Sequence, residues 1–108
     1  MLSVTLEESP LGESRNLVEF SAVSLSFPLY VRSCEPGDRF RPSGMKGTKK
    51  LQDLFVDLKL TREERHNSLV LVKDDELLWV VGIRRSEERR PLLDEPVLRL
   101  EIKTKIDS

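Results

Sequence analysis

Cysteine, histidine, tryptophan and tyrosine each occur once in 108 residues, and aromatics make up only 6% of the chain. With Cys34 alone, an internal disulfide is impossible and a metal site built on paired cysteines is excluded. A lone cysteine fits a reducing, cytoplasmic setting. Cys34 has no activating neighbour except Arg32, so it reads as structural. His66 stands beside no cysteine and no acid pair, and reads as a surface helix residue. No Ser/His/Asp or Cys/His constellation can be assembled, which argues against an independent small enzyme. No apolar run approaches the roughly 18 residues of a membrane span, and the N-terminus lacks the charged-then-apolar pattern of a signal peptide. A membrane partner is therefore not expected. Internal repeats and low-complexity segments are absent too.

What remains is the composition of one soluble globular domain spanning residues 1–108, 38% hydrophobic and 34% charged. A chain of this size buries roughly 60–70% of its unfolded surface, enough for a modest core. The net charge is −1, but it is unevenly spread. Residues 1–30 hold one base and four acids, residues 31–72 nine bases and six acids, and residues 73–108 eight bases and nine acids. The middle third is the electropositive part.

Along the chain, "LSVTLEE" (2–8), "NLVEF" (16–20) and "AVSLSF" (22–27) suggest strands. The last alternates strictly, with Val23, Leu25 and Phe27 on one face. "LYVRS" (29–33) continues the β pattern, and "EPGD" (35–38) places proline and glycine at the centre of a type II turn. Leu51, Leu54, Phe55 and Leu58 then fall on one face of a helix of about ten residues, with Thr48 as its N-cap. "TREE" (61–64) is a capping box opening a second helix. "LVLV" (69–72) and "LLWVVG" (77–82) flank "KDDE" as a hairpin, with Trp79 in the core. "SEERRP" (86–91) reads as a polar loop and "VLRLEIK" (97–103) as a final strand. The count is roughly seven strands and two short helices, an α+β class in which antiparallel β dominates.

The stretch "RFRPSGMKGTKK" (39–50) carries five bases and no acid. Gly44 and Gly47 give the backbone freedom for φ > 0 and for close approach of a ligand. With Thr48 as N-cap, Lys49 and Lys50 fall in a helical first turn, the wrong end of the dipole for a cation. That placement points to a phosphate seat. The loop is not a Walker A motif, since "GMKGTKK" lacks the G-K-[ST] ending. Lys59, Arg62 and Arg65 extend the positive stripe, Arg62 and Arg65 on one helix face. Arg84 ends a core strand and reaches toward the same surface. The whole is the electrostatic footprint for a polyanion such as RNA.

Those residues resemble a known family. "PLYVRSCEPGDRFRPSGMKGTKKLQDLFVDLKLTREER" (28–65), followed by "LLWVVGIR" (77–84), is similar to the C-terminal domain of bacterial tRNA(Ile)-lysidine synthetase. The family pattern runs P-L-x-V-R, then P-G-D-R-F-x-P-x-G-M-x-G-x-K-K-L-x-D-L-F, a K-I-P-R-x-x-R element and an I-L-W-V-x-G-x-R strand. Thr61 stands where the family usually has proline, and Ser68 where a second proline is common. The resemblance implies a compact α+β domain with sandwich- or barrel-like sheet packing, related to a module of phenylalanyl-tRNA synthetase. It also implies a parent ligase that attaches lysine to the wobble cytidine of an isoleucine tRNA. ATP and Mg would be used by an N-terminal catalytic domain absent from this chain. By the same resemblance, the last domain would grip the tRNA body near the acceptor stem, with no catalytic residue, metal or cofactor of its own.

The RNA-binding candidates are Arg39, Arg41, Lys46, Lys49, Lys50, Lys59, Arg62, Arg65 and Arg84. Each has a plainer reading as a solvated charge; Asp38 offers Arg39 an ion pair, and Glu63 offers one to Arg62 or Arg65. Asp53 and Asp57 flank the apolar stripe and are set to pair with Lys49 or Lys50. Phe40 anchors the loop to the core. The expected partners are isoleucine tRNA and the enzyme's own N-terminal domains, with a homodimer left open. The rival function is an intramolecular docking or dimerisation module with no RNA contact.

Overall fold

The computed structural model describes residues 2–103. In chain order these form β1 (Leu2–Glu7), β2 (Leu17–Ser21), β3 (Tyr30–Ser33), β4 (Arg39–Phe40), β5 (Lys49–Lys50), α1 (Leu51–Asp57), α2 (Arg62–His66), β6 (Leu69–Lys73), β7 (Glu76–Val80), β8 (Arg84–Arg85) and β9 (Val97–Ile102). Every strand pairing is antiparallel, so the class is α+β with β dominant, as the sequence predicts. The contacts group into two compact units, one from residues before Phe27 and after Glu88, the other from Phe27–Glu88.

In the first unit β9 lies between β1 and β2. Alternation puts Leu98 and Leu100 of β9 level with Phe20 and Val18 of β2, and all four are buried. Their removal from water, at roughly 1.5–3 kcal/mol each, is the main favourable term for this sheet. Directly across from Arg99 stands Glu19, also buried. A buried carboxylate is tolerable only if its lone pairs are filled. Here the Arg99 guanidinium donates at 2.6 Å, and the amides of Leu11 and Gly12 at 2.7 and 3.0 Å.

The expected strand at 22–27 does not form. Residues 22–24 turn instead, with Leu25 N–H donating to the Ser21 carbonyl and the Ser21 hydroxyl accepting from Val23 and Ser24. Serine hydroxyls offer local backbone partners that compete with a sheet ladder. Of the apolar face only Leu25 is buried, while Val23 is 69% exposed.

The second unit holds a four-stranded sheet in the order β3-β6-β7-β8 and a two-stranded ribbon, β4–β5. Phe40, Leu51, Leu54, Phe55, Val70, Val72, Leu77 and Val80 form its core, with Cys34, Leu60 and Ile83 against it. Trp79 is fully buried, as expected from its apolar strand. The capping box opens α2: the Thr61 hydroxyl accepts from Glu64 N–H, and the Glu64 carboxylate accepts from Thr61 N–H. His66 is exposed. Ser86, expected in a polar loop, has zero exposure and bridges to Pro42.

Candidate nucleic-acid interface

The turn Glu35–Asp38 sets the site. Asp38 N–H donates to the Glu35 carbonyl, and Gly37 takes φ +90, the left-handed value that glycine supplies without strain. The Asp38 carboxylate then receives both guanidinium nitrogens of Arg32, at 2.9 and 3.0 Å, and the Glu35 amide at 2.8 Å. The Arg32 hydrogen bond, set against burial, holds its carboxyl below the usual 3.8. Asp38 thus pairs with Arg32, not with the adjacent Arg39. Its carbonyl accepts from Leu51 N–H, the first amide of α1.

This arrangement overturns one expectation. Lys49 and Lys50 are not in a helical first turn, and Thr48 is not the N-cap. The helix starts at Leu51 and has seven residues; Lys50 is its N-cap in extended conformation, with no side-chain cap bond. Lys49 and Lys50 form β5 instead, paired with β4 in the register Arg39↔Lys50 and Phe40↔Lys49. Burial of Phe40, 4% exposed, draws β4 onto the core and carries its partner strand with it. The apolar spacing from Leu51 is legible locally, whereas a two-residue strand is decided by partners nine and eleven residues away.

The loop between β4 and β5 is clamped. Met45 N–H donates to the Pro42 carbonyl around Gly44 at φ +82, a turn that requires glycine there. Ser43 N–H donates to the Arg85 carbonyl, Glu87 N–H to the Arg41 carbonyl, and Gly44 N–H to the Glu87 carboxylate. Arg84 donates to the Ser43 hydroxyl at 3.2 Å and to its carbonyl at 2.6 Å. Gly47 differs from Gly44 in that its φ is not left-handed; a Cβ would meet nothing within 4 Å at either position.

The nine candidate cations divide. Arg41 pairs with Glu88 at 3.1 Å, Lys49 pairs with Asp57, Arg65 donates to the Leu60 carbonyl at 3.2 Å, and Arg84 is held by Ser43. Arg39, Lys46, Lys50, Lys59 and Arg62 are exposed and have no ion pair among the described residues. Arg39 and Lys50 stand directly opposite each other across the ribbon, a like-charge pair that destabilises it unless an anion sits between them. Asp57 takes the role expected of it; Asp53 has no ion pair among the described residues.

Lys59 supplies what sequence reasoning missed. It takes φ +55 just past Leu58, the C-cap of α1, and the helix ends in a Schellman motif. Leu60 N–H donates to the Phe55 carbonyl and Lys59 N–H to the Val56 carbonyl, while Leu60 packs on the core beside Phe55. Glycine is the usual occupant of that position, and the helical spacing before "LKL" was the only available signal.

A cleft of about 190 Å³ opens between the Glu35–Asp38 turn and α1, lined by Cys34, Pro36, Leu51, Gln52, Phe55 and Lys50 among others. The Cys34 S–H donates to the Ser68 carbonyl at 3.4 Å, and burial raises its pKa above the usual 9.0. It is an unactivated thiol.

Fold and site together define a small strand-dominated α+β domain that displays cations on a two-stranded ribbon. The family model described as the TilS substrate C-terminal domain matches residues 29–101. The chain belongs to that family. It is 43% identical over 82 residues to a tRNA(Ile)-lysidine synthase of Geobacter sulfurreducens, covering 75% of this chain and 17% of that protein. Over 91 residues it is 38% identical to a tRNA(Ile)-lysidine synthase of Parabacteroides distasonis, covering 84% and 20%. The crystal structure of a TilS C-terminal domain superposes with a TM-score of 0.77 at 28% identity, covering 93% of this chain and 80% of that one. The chain thus spans a fifth or less of the length of these two synthases.

Proposed function

We propose that this chain is the tRNA-gripping accessory domain of a tRNA(Ile)-lysidine synthase, doing no chemistry itself. In this reading the parent enzyme attaches lysine to the wobble cytidine of an isoleucine tRNA, with ATP and Mg used by domains outside this chain. The domain holds the tRNA body by its backbone near the acceptor stem. The observation that carries the reading is the Arg39–Lys50 pair, two exposed cations facing each other with no acid between them. A phosphate seated there turns a repulsion into two charge-assisted hydrogen bonds. Lys46 on the loop, and Lys59 and Arg62 at the α1–α2 corner, add further phosphate contacts. Arg41, Lys49, Arg65 and Arg84 act as positioning residues that hold the loop and the corner in shape.

The test is tRNA(Ile) binding by this chain across a salt series. Replacing Arg39 and Lys50 together by alanine should weaken binding and lower the slope of log K against log salt by roughly 1.5 units, borrowing nucleic-acid counterion-release values. An unchanged slope would remove the assignment.

A second reading, protein docking or dimerisation, has its own support in the first unit. Val4 and Leu6 on edge strand β1 are 43% and 68% exposed, and lie on one face. Light scattering of the wild type and Leu6→Lys tests it: a dimer that dissociates in the variant favours this reading.

A further inference from the structure

We propose that the cleft beside the ribbon receives one unstacked nucleobase from a single-stranded RNA segment whose phosphate is held by Arg39 and Lys50, an inference that rests on the RNA-binding reading above. The cleft's volume of about 190 Å³ lies below the roughly 300–1,000 Å³ of drug-sized sites, a scale suited to one planar ring. Its lining is chiefly apolar. Pro36 and the largely buried Leu51 and Phe55 are its main apolar lining residues, a surface on which a base face can pack. Lys50 belongs both to the cleft and to the ribbon, so a phosphate between Lys50 and Arg39 stands at its mouth.

The polar groups of the lining indicate which base. The Gln52 amide and the Glu35 carboxylate make no hydrogen bond or ion pair among the described residues. Asp38 is different: its two oxygens are filled by Arg32 and the Glu35 amide, so its charge is already met. A carboxylate accepts from the exocyclic amine of cytosine or adenine, whereas uracil has no such amine. A glutamate carboxylate near the Arg32 charge but with no hydrogen bond among the described residues, beside an amide with none, therefore favours an amino-bearing base over uracil. A duplex, with its bases stacked and paired, has none to offer.

Cys34 lines the cleft and is the only thiol in the chain, so its alkylation rate, read by intact mass, reports occupancy. The probes are RNA pentamers of cytidine, adenosine or uridine, and a blunt RNA duplex. The cytidine or adenosine pentamer should slow alkylation about fivefold or more, the low end of a good base contact, and more than the uridine pentamer does. The duplex should leave the rate unchanged. Glu35→Gln and Gln52→Ala, both on the surface, should erase the difference between cytidine and uridine; wild-type unfolding curves would show that the variants are folded.

If tRNA(Ile) binds with its full salt slope while no pentamer protects Cys34, the cleft proposal is overturned and the ribbon assignment stands. Equal protection by duplex and pentamer overturns it as well, since shielding then comes from backbone binding. Protection that rises with the chain's own concentration, with no RNA present, assigns the cleft to a protein contact and overturns it. If neither tRNA nor pentamer binds, the cleft and the ribbon reading fall together.

Discussion

At the scale of single residues, Lys59 sits in a conformation that glycine adopts freely and that costs other L-residues roughly 1–2 kcal/mol. Lys59→Gly relieves that strain but adds unfolded-state entropy, so the expected gain is about 0.5 kcal/mol, measurable by urea unfolding. If the lysine is kept for its charge, the same variant binds tRNA less tightly while being more stable. Lys59→Ala would lose the affinity without the gain. The two loop glycines separate by the same logic. Gly44→Ala meets a φ of +82 and should destabilise by about 1 kcal/mol or more. Gly47→Ala has open space and no left-handed φ, and should stabilise by about 0.4–1 kcal/mol through the unfolded state. A drop in tRNA affinity for Gly47→Ala alone would show that RNA passes close to that backbone.

Among the elements, the β4–β5 ribbon sets stability against binding. Arg39→Glu creates an opposite-charge pair with Lys50 across the ribbon and should stabilise it by about 0.2–1 kcal/mol. It should also reduce tRNA binding sharply, because the proposed phosphate seat becomes an internal ion pair. Paired unfolding and gel-shift measurements check both directions, and a variant that is more stable yet binds equally well would contradict the role assigned to the ribbon. The α2 N-terminus shows how this chain departs from its family pattern. Thr61 has φ −68, close to the value proline fixes, so Thr61→Pro fits the backbone but removes the N–H that Glu64 accepts. The two residues are alternative ways of starting the same helix. Ser68 is different: its hydroxyl donates to the Glu64 carbonyl and its N–H to the Arg65 carbonyl, both lost to proline.

For the molecule as a whole, acid stability draws on carboxylates held ionised, with Glu19 and Asp38 the two that lie inside the fold and Glu64 an exposed third. Burial pushes the Glu19 carboxyl up, but the Leu11 and Gly12 amides and Arg99 together hold it below its usual 4.5; Arg32 does the same for Asp38 against a usual 3.8. Folding therefore favours their ionised forms. Their contribution is complete above about pH 4.5 and is lost as pH falls through the folded values. Thermal melts from pH 7 to pH 3 should be flat and then fall. In Glu19→Ala, which strands the Arg99 guanidinium, stability should drop by about 3 kcal/mol at pH 7 and the acid-side fall should be shallower.

How far the sequence reached can be followed through the same residues. The "TREE" box, the "EPGD" turn, the hairpin around "KDDE" and the core places of Phe40 and Trp79 were all legible. Each is specified by side chains within a few positions of one another, through capping, turn chemistry or apolar period. Val23 and Phe27 alternate like a strand, yet no strand accepts them, and the Ser21 hydroxyl turns the chain. Lys49 and Lys50 look like a helical first turn, but their partners are Arg39 and Phe40. The fit of the loop depends on Arg84, Arg85 and Glu87, some forty residues further on. Charge in the middle third, and the family it belongs to, came from the sequence by itself. Which of those charges stay free and which are spent on Glu88, Asp57 and Ser43 was decided only by tertiary structure, because an ion pair depends on distance in space, and separation along the chain does not set it.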